Sequence, residues 1–144
     1  METKQRADFL KEEYIMLQQF YEDIDSKGLT IKNWAITVGL AVIGTGIVQN
    51  NDLILWAGLA ASLMFWYLEA HWRGLSHFFS TRIQDIERSF QTDHLDTETP
   101  LQVYSTWDVE YQKVGDRTLR YMFKPFTILP HAAIAILIVI LLFQ

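Results

Sequence analysis

Apolar side chains recur at three- and four-residue steps along residues 8–25. Leu10, Tyr14, Leu17, Tyr21 and Ile24 fall on one helical stripe, and Phe9, Met16 and Phe20 widen it. The spacing predicts an amphipathic packing helix over residues 1–28, ended where Ser26-Lys27-Gly28 interrupts the pattern. From Ile31 to Val48 the periodicity gives way to a continuous apolar run, long enough for about 27 Å of helix. Trp34 stands where an interfacial tryptophan belongs, and Ala35, Gly39 and Gly46 line one side, where another helix can approach closely. The polar QNND turn, Gln49 to Asp52, then leads into a second apolar run from Leu53 to Leu68.

Beyond Leu68 the apolar positions become periodic again, at Leu75, Phe78, Phe79, Ile83, Ile86 and Phe90. Only Gly74 punctuates this stretch, so residues 53–90 read as one helix that leaves the membrane and continues into water. Residues 91–100 are rich in turn formers and end at Pro100. A further amphipathic helix is expected within 91–124, carrying Tyr104, Trp107, Tyr111, Val114 and Tyr121. Residues 125–143 form a third uncharged run. The expected fold is all-α: three transmembrane helices in a single domain, with an amphipathic helical bundle at the cytoplasmic surface whose aromatic stripes form its core.

Composition supports that segregation. Hydrophobic residues make up 50% of the 144 positions, yet mean hydropathy is only +0.07, because charge is confined to particular segments. Between Asn33 and Leu68 only Asp52 is charged, and nothing is charged after Lys124. All 12 Lys and Arg residues lie either before residue 33 or between residues 73 and 124. The positive-inside rule therefore places the N-terminus and the middle segment in the cytoplasm, with QNND and Gln144 outside the inner membrane. A net charge of −5 gives no reason to expect nucleic-acid binding, and the absence of cysteine excludes disulfides and thiolate chemistry. Residues 1–30 are charged throughout, so a removable signal peptide is not expected.

Candidate chemistry is sparse. Gly58, Ser62, Glu69, Arg73 and Ser76 fall close to one line on a helical wheel, a small and polar stripe suited to a partner helix or an oligomeric axis. Glu69 and Arg73 are four apart with the acid first, the favourable order for an ion pair. His71 projects from the opposite side of the helix and cannot share a metal with Glu69. His131 follows Pro130 about 10 Å into the third run; an ionisable group at that depth needs a partner, and Glu69 is the best placed. Pro130 also deprives the Phe126 carbonyl of its helical donor, leaving it for His131 or a neighbouring helix. Asp52, with Asn50 and Asn51, could ring a pore mouth in an oligomer or simply form a solvated turn. His94 among Asp93, Asp96 and Glu98 is a weak metal signal, and no catalytic or nucleotide-binding motif is present. No cofactor and no enzymatic activity are expected.

The segments FLKEEY, FYEDIDSKGLTIKNW, FWYLEAHW and RIQDIERSF resemble uncharacterised small bacterial membrane proteins over roughly residues 8–90, a likeness that implies no particular activity. The order of helix, two spans and long cytoplasmic extension is similar in layout to SLATT-type two-span effectors, which are thought to form pores. Three single-helix spans cannot enclose a solute pathway alone, so conduction requires a homo-oligomer with the polar face of the second span and the small-residue face of the first near its axis. The leading expectation is an oligomeric channel-like or pore-forming protein that conducts ions. The competing expectation is a non-conducting scaffold or regulatory subunit whose cytoplasmic bundle binds a soluble partner. Membrane lipid and further copies of the chain are the other expected partners.

Overall fold

A computed structural model describes residues 3–92, 94, 95 and 97–144. It contains α1 (Thr3–Gln49), α2 (Asp52–Gln91), α3 (Val103–Tyr111), α4 (Val114–Met122) and α5 (Pro125–Leu142), with no strand among the described residues. α1, α2 and α5 are long and apolar enough to cross a membrane. The first two form an antiparallel hairpin closed by Asn50 and Asn51. Asn50 adopts a left-handed φ of 46°. Asn51 caps α2, its side chain accepting a hydrogen bond from the Leu53 amide at 3.0 Å. Asp52 occupies the first turn of α2, where a carboxylate complements the helix dipole.

α1 is 47 residues long and passes unbroken through Ser26-Lys27-Gly28, where the sequence pattern suggests a stop. Ser26 Oγ donates to the Asp23 carbonyl at 2.8 Å, a bond made on the helix instead of ending it. Gly28 is buried, and a Cβ there would lie 3.6 Å from Cγ of Arg73. Glycine costs a helix interior about 1 kcal/mol, too little to end a helix that packs against α2 on both sides of it. The expected helix within 91–124 is instead two short helices, parted at Gln112 and Lys113.

α3, α4 and α5 run in succession back along α2, making a segmented third rod beside the two continuous ones. In the charged half this rod packs on α2; in the apolar half α5 touches both α1 and α2. Two apolar cores result. Leu10, Leu17, Ile83 and Ile86 form the one in the charged half, joined by Tyr14, Phe79, Leu95 and Val103. Ile43, Leu55, Ile134 and Ile138 form the other between the three long apolar helices. Glycines set the spacing there. A Cβ on Gly39 would stand 2.8 Å from Ile134, and one on Gly58 would collide with Val42.

The aromatic stripe of residues 104–121 departs from the expected core. Tyr104, Trp107 and Tyr111 stack in series, with centroids 5.8 and 4.7 Å apart. Yet Tyr104 is 75% exposed, and Val109 and Tyr111 are exposed as well. α3 packs chiefly on α2, and while Val103 at its start reaches the core, Tyr104, Val109 and Tyr111 stay outside it.

Candidate functional site: a buried carboxylate where three helices cross

Glu69 stands on α2 just past its apolar run, and its side chain is completely buried. Four groups converge around it from three helices. Arg73, one turn further along α2, donates from Nε to Oε1 at 2.9 Å. Lys32 of α1 brings its ammonium to the same oxygen at 3.2 Å. His131 of α5, also fully buried, meets Oε2 through Nε2 at 2.9 Å. An ionised carboxylate can only accept, so this bond places the imidazole proton on Nε2. Asp25 of α1 completes the group, accepting from Nη1 of Arg73 at 2.8 Å.

Pro130 explains the remaining geometry. Proline supplies no amide hydrogen, and the Phe126 carbonyl one turn earlier loses its helical partner. Lys32 Nζ fills that place at 2.6 Å, so the neighbouring helix, and not His131, uses the freed carbonyl. The Phe126 ring lies beneath both cations, 5.6 Å from Lys32 Nζ and 4.7 Å from Arg73 Cζ. Trp66 stacks on His131 with centroids 6.5 Å apart and donates from its indole nitrogen to the Met122 carbonyl at 3.0 Å. The third rod is thus fastened to the hairpin on both sides of Lys124.

The small and polar stripe of α2 is therefore consumed within one chain. Gly58 meets Val42 of α1 and approaches Ile138 of α5. Ser62 is buried, and Ser76 is buried with its hydroxyl donating to the Arg73 carbonyl. Glu69 and Arg73 face α1 and α5, not an open axis. Asp52 lies apart from these residues, exposed at the hairpin tip. His71 turns the other way, its Nδ1 3.3 Å from Thr118 Oγ1 of α4. His94 is exposed, and its neighbours Asp93 and Asp96 lie outside the described residues. Among the described residues no group of His, Asp and Glu is arranged to hold a metal.

A second buried charge cluster sits deep in the charged half. Glu13, fully buried on α1, accepts from Arg82 Nε at 2.9 Å and from the Leu101 amide at 2.7 Å. Arg82 also binds Glu98 and the Thr99 carbonyl, the latter at 2.8 Å. Burial opposes the charge on Arg82, but the bonds from Glu13 and Glu98 more than offset it and raise its pKa above the ordinary value. Leu101 adopts a left-handed φ of 65°, strain of the kind that persists where surrounding contacts over-determine the backbone. The sequence does carry a signal for this clasp. Glu13 stands between Leu10 and Leu17 on the buried stripe, and Arg82 between Phe78 and Ile86. Two opposite charges interrupting two facing apolar stripes are expected to meet.

What these arrangements can do follows from their occupancy. Each Glu69 oxygen already accepts from a cation or an N–H group, and Lys32 and Arg73 are balanced by Glu69 and Asp25. Through these contacts the carboxylate joins α1, α2 and α5. No family model, curated protein or solved structure matches the chain.

Proposed function

We propose that the protein is a non-conducting scaffold or regulatory subunit of the cytoplasmic membrane, crossing it three times and presenting a rigid helical head to a soluble protein partner. The carrying observation is a contrast in exposure. The polar stripe that a conducting axis would need is closed inside the chain around Glu69, whereas the head exposes Leu101, Tyr104 and Val109 on and beside α3. Exposed apolar side chains in a charged, water-facing segment are suited to a protein partner. All Lys and Arg residues lie towards one end of the bundle, which supports a cytoplasmic head with the hairpin tip and Gln144 outside.

Proteoliposomes carrying the purified protein should leak ions no faster than empty vesicles. A flux that depends on the protein would overturn the scaffold reading. Replacing Tyr104 and Val109 with serine should leave melting in detergent near that of the wild type while abolishing function in cells.

The conducting alternative, a homo-oligomeric channel, draws support from a different surface. Thr37, Ala41, Gly44 and Thr45 form an exposed, small and weakly polar face of α1, and a Cβ on Gly44 would meet nothing within 4 Å. A second copy could approach closely there. A monomer in mild detergent would remove this alternative.

A further inference from the structure

A cavity of about 320 Å³ opens between α1 and α2 just beyond their apolar segments, lined by Phe20, Asp23, Ile24, Lys27, Trp72 and Phe79. Phe20 and Phe79 meet at 5.8 Å, and Trp72 lies beneath the Lys27 ammonium at 5.1 Å. Its two charged members, Asp23 and Lys27, are one helical turn apart on α1 and both exposed. Acid before base at this spacing would ordinarily pair. Here Lys27 turns to the indole instead, and neither side chain is ion-paired among the described residues. The same two helix faces stay apolar towards the apolar half. On α1, Phe20, Ile24, Lys27, Ile31 and Trp34 recur at alternating steps of four and three; on α2, Phe79, Leu75, Trp72, Leu68 and Phe65 do the same. Below the groove, Trp34 and Leu68 on these two faces are exposed, so apolar surface continues from it into the apolar segments.

We propose that this groove binds the head group of a phosphoethanolamine lipid. Lys27 meets the phosphate, Asp23 accepts hydrogen bonds from the primary ammonium, and the acyl chains descend past Trp72, Leu68 and Trp34. One turn of helix separates Asp23 from Lys27 by about 6 Å along the axis, the same order as phosphate from ammonium in that head group. A glycerol head group offers Asp23 no cation. A choline head group offers a cation without N–H donors, so the acid favours ethanolamine over both. The proposal rests on the membrane reading above. A chain soluble without detergent would remove that reading, whereas loss of head-group preference removes only this one.

The test is a titration of the full-length protein in mild detergent with phosphatidylethanolamine, phosphatidylglycerol and phosphatidylcholine of identical acyl chains, bound lipid being counted by intact-complex mass. Phosphatidylethanolamine should bind most tightly. Asp23→Asn should weaken it about fivefold, to the level of phosphatidylglycerol, as expected for an exposed charge pair of roughly 1 kcal/mol. Lys27→Gln should weaken all three lipids. Both side chains are exposed, so each variant should melt with the wild type when lipid is absent. As a second readout on the unaltered chain, brominated phosphatidylethanolamine should quench the fluorescence component that Trp72→Phe removes. Equal or tighter binding of phosphatidylglycerol by the wild type, an ethanolamine preference that survives Asp23→Asn, or a Trp72 component that stays unquenched would each overturn the proposal.

Discussion

Glu69 shows how one side chain can fix the relation of three helices. Glu69→Gln keeps the shape but leaves Lys32 and Arg73 facing a neutral amide inside the protein. Breaking a buried pair in this way costs about 3–5 kcal/mol, so the variant should unfold at markedly lower denaturant in detergent. Glu69→Gln, His131→Leu and the double variant together isolate the bond between the two residues. Because they are in direct contact at 2.9 Å, the double variant should fall short of additivity by about 0.5–3 kcal/mol, and additive losses would contradict the contact. A gentler residue-scale effect belongs to Glu110. The hydrogen bond from Arg117 holds its carboxyl below the usual carboxylate range. A group whose pKa is lower in the folded state stabilises the fold above its ordinary pKa. That contribution fades as pH falls through the depressed value. Glu110→Gln should flatten the acid limb of a stability-versus-pH curve, and Arg117→Lys, which keeps the charge but loses the guanidinium geometry, should flatten it only in part.

At the scale of elements, charge and close approach set different things. The Glu13–Arg82 clasp joins the base of the hairpin to the segment before α3. Glu13→Ala removes the acceptor of the Leu101 amide, and hydrogen exchange at that amide should accelerate at least about tenfold, since a hydrogen bond to a charged group contributes roughly 1.5–3 kcal/mol. Gly58→Leu acts in the apolar half, where any Cβ meets Val42. Overpacking of this kind costs about 1–3 kcal/mol and should lower the melting temperature without touching exchange at Leu101. Sequence alone reads these elements unevenly. Long apolar runs and the Glu69–His131 partnership are legible, because burial of an ionisable group demands a nearby complement. The continuity of α1 is not, since Ser26-Lys27-Gly28 carries the composition of a stop. Gly28 there packs against Arg73 from a distant part of the chain, and no local pattern reports that contact. The same holds for the direction of the Gly58–Ser76 stripe. Periodicity shows which residues share a face, but not whether the neighbour is the same chain or another copy.

The whole molecule consists of two continuous rods and a third made of short pieces. The third rod is broken at Gln112 and Lys113 and again before Pro125, and large side chains on its first piece stand exposed. Charge segregation along the sequence becomes segregation along the long axis, one end bearing all the cations and the other bearing none. The hairpin, however, has no joint at the boundary between its apolar and charged halves. α1 and α2 cross that level as uninterrupted helices pinned to each other by Glu69, Lys32, Arg73 and Asp25. Were the apolar segments to lean in a membrane, the charged half would therefore lean with them. With the apolar part of α1 placed in a bilayer, its charged part would project about 40 Å, and a change of about 10° in tilt, well within what bilayer thickness imposes, would sweep its tip sideways by about 7 Å. A partner held at the head would feel the thickness of the membrane as a lateral displacement, with the hairpin acting as a lever.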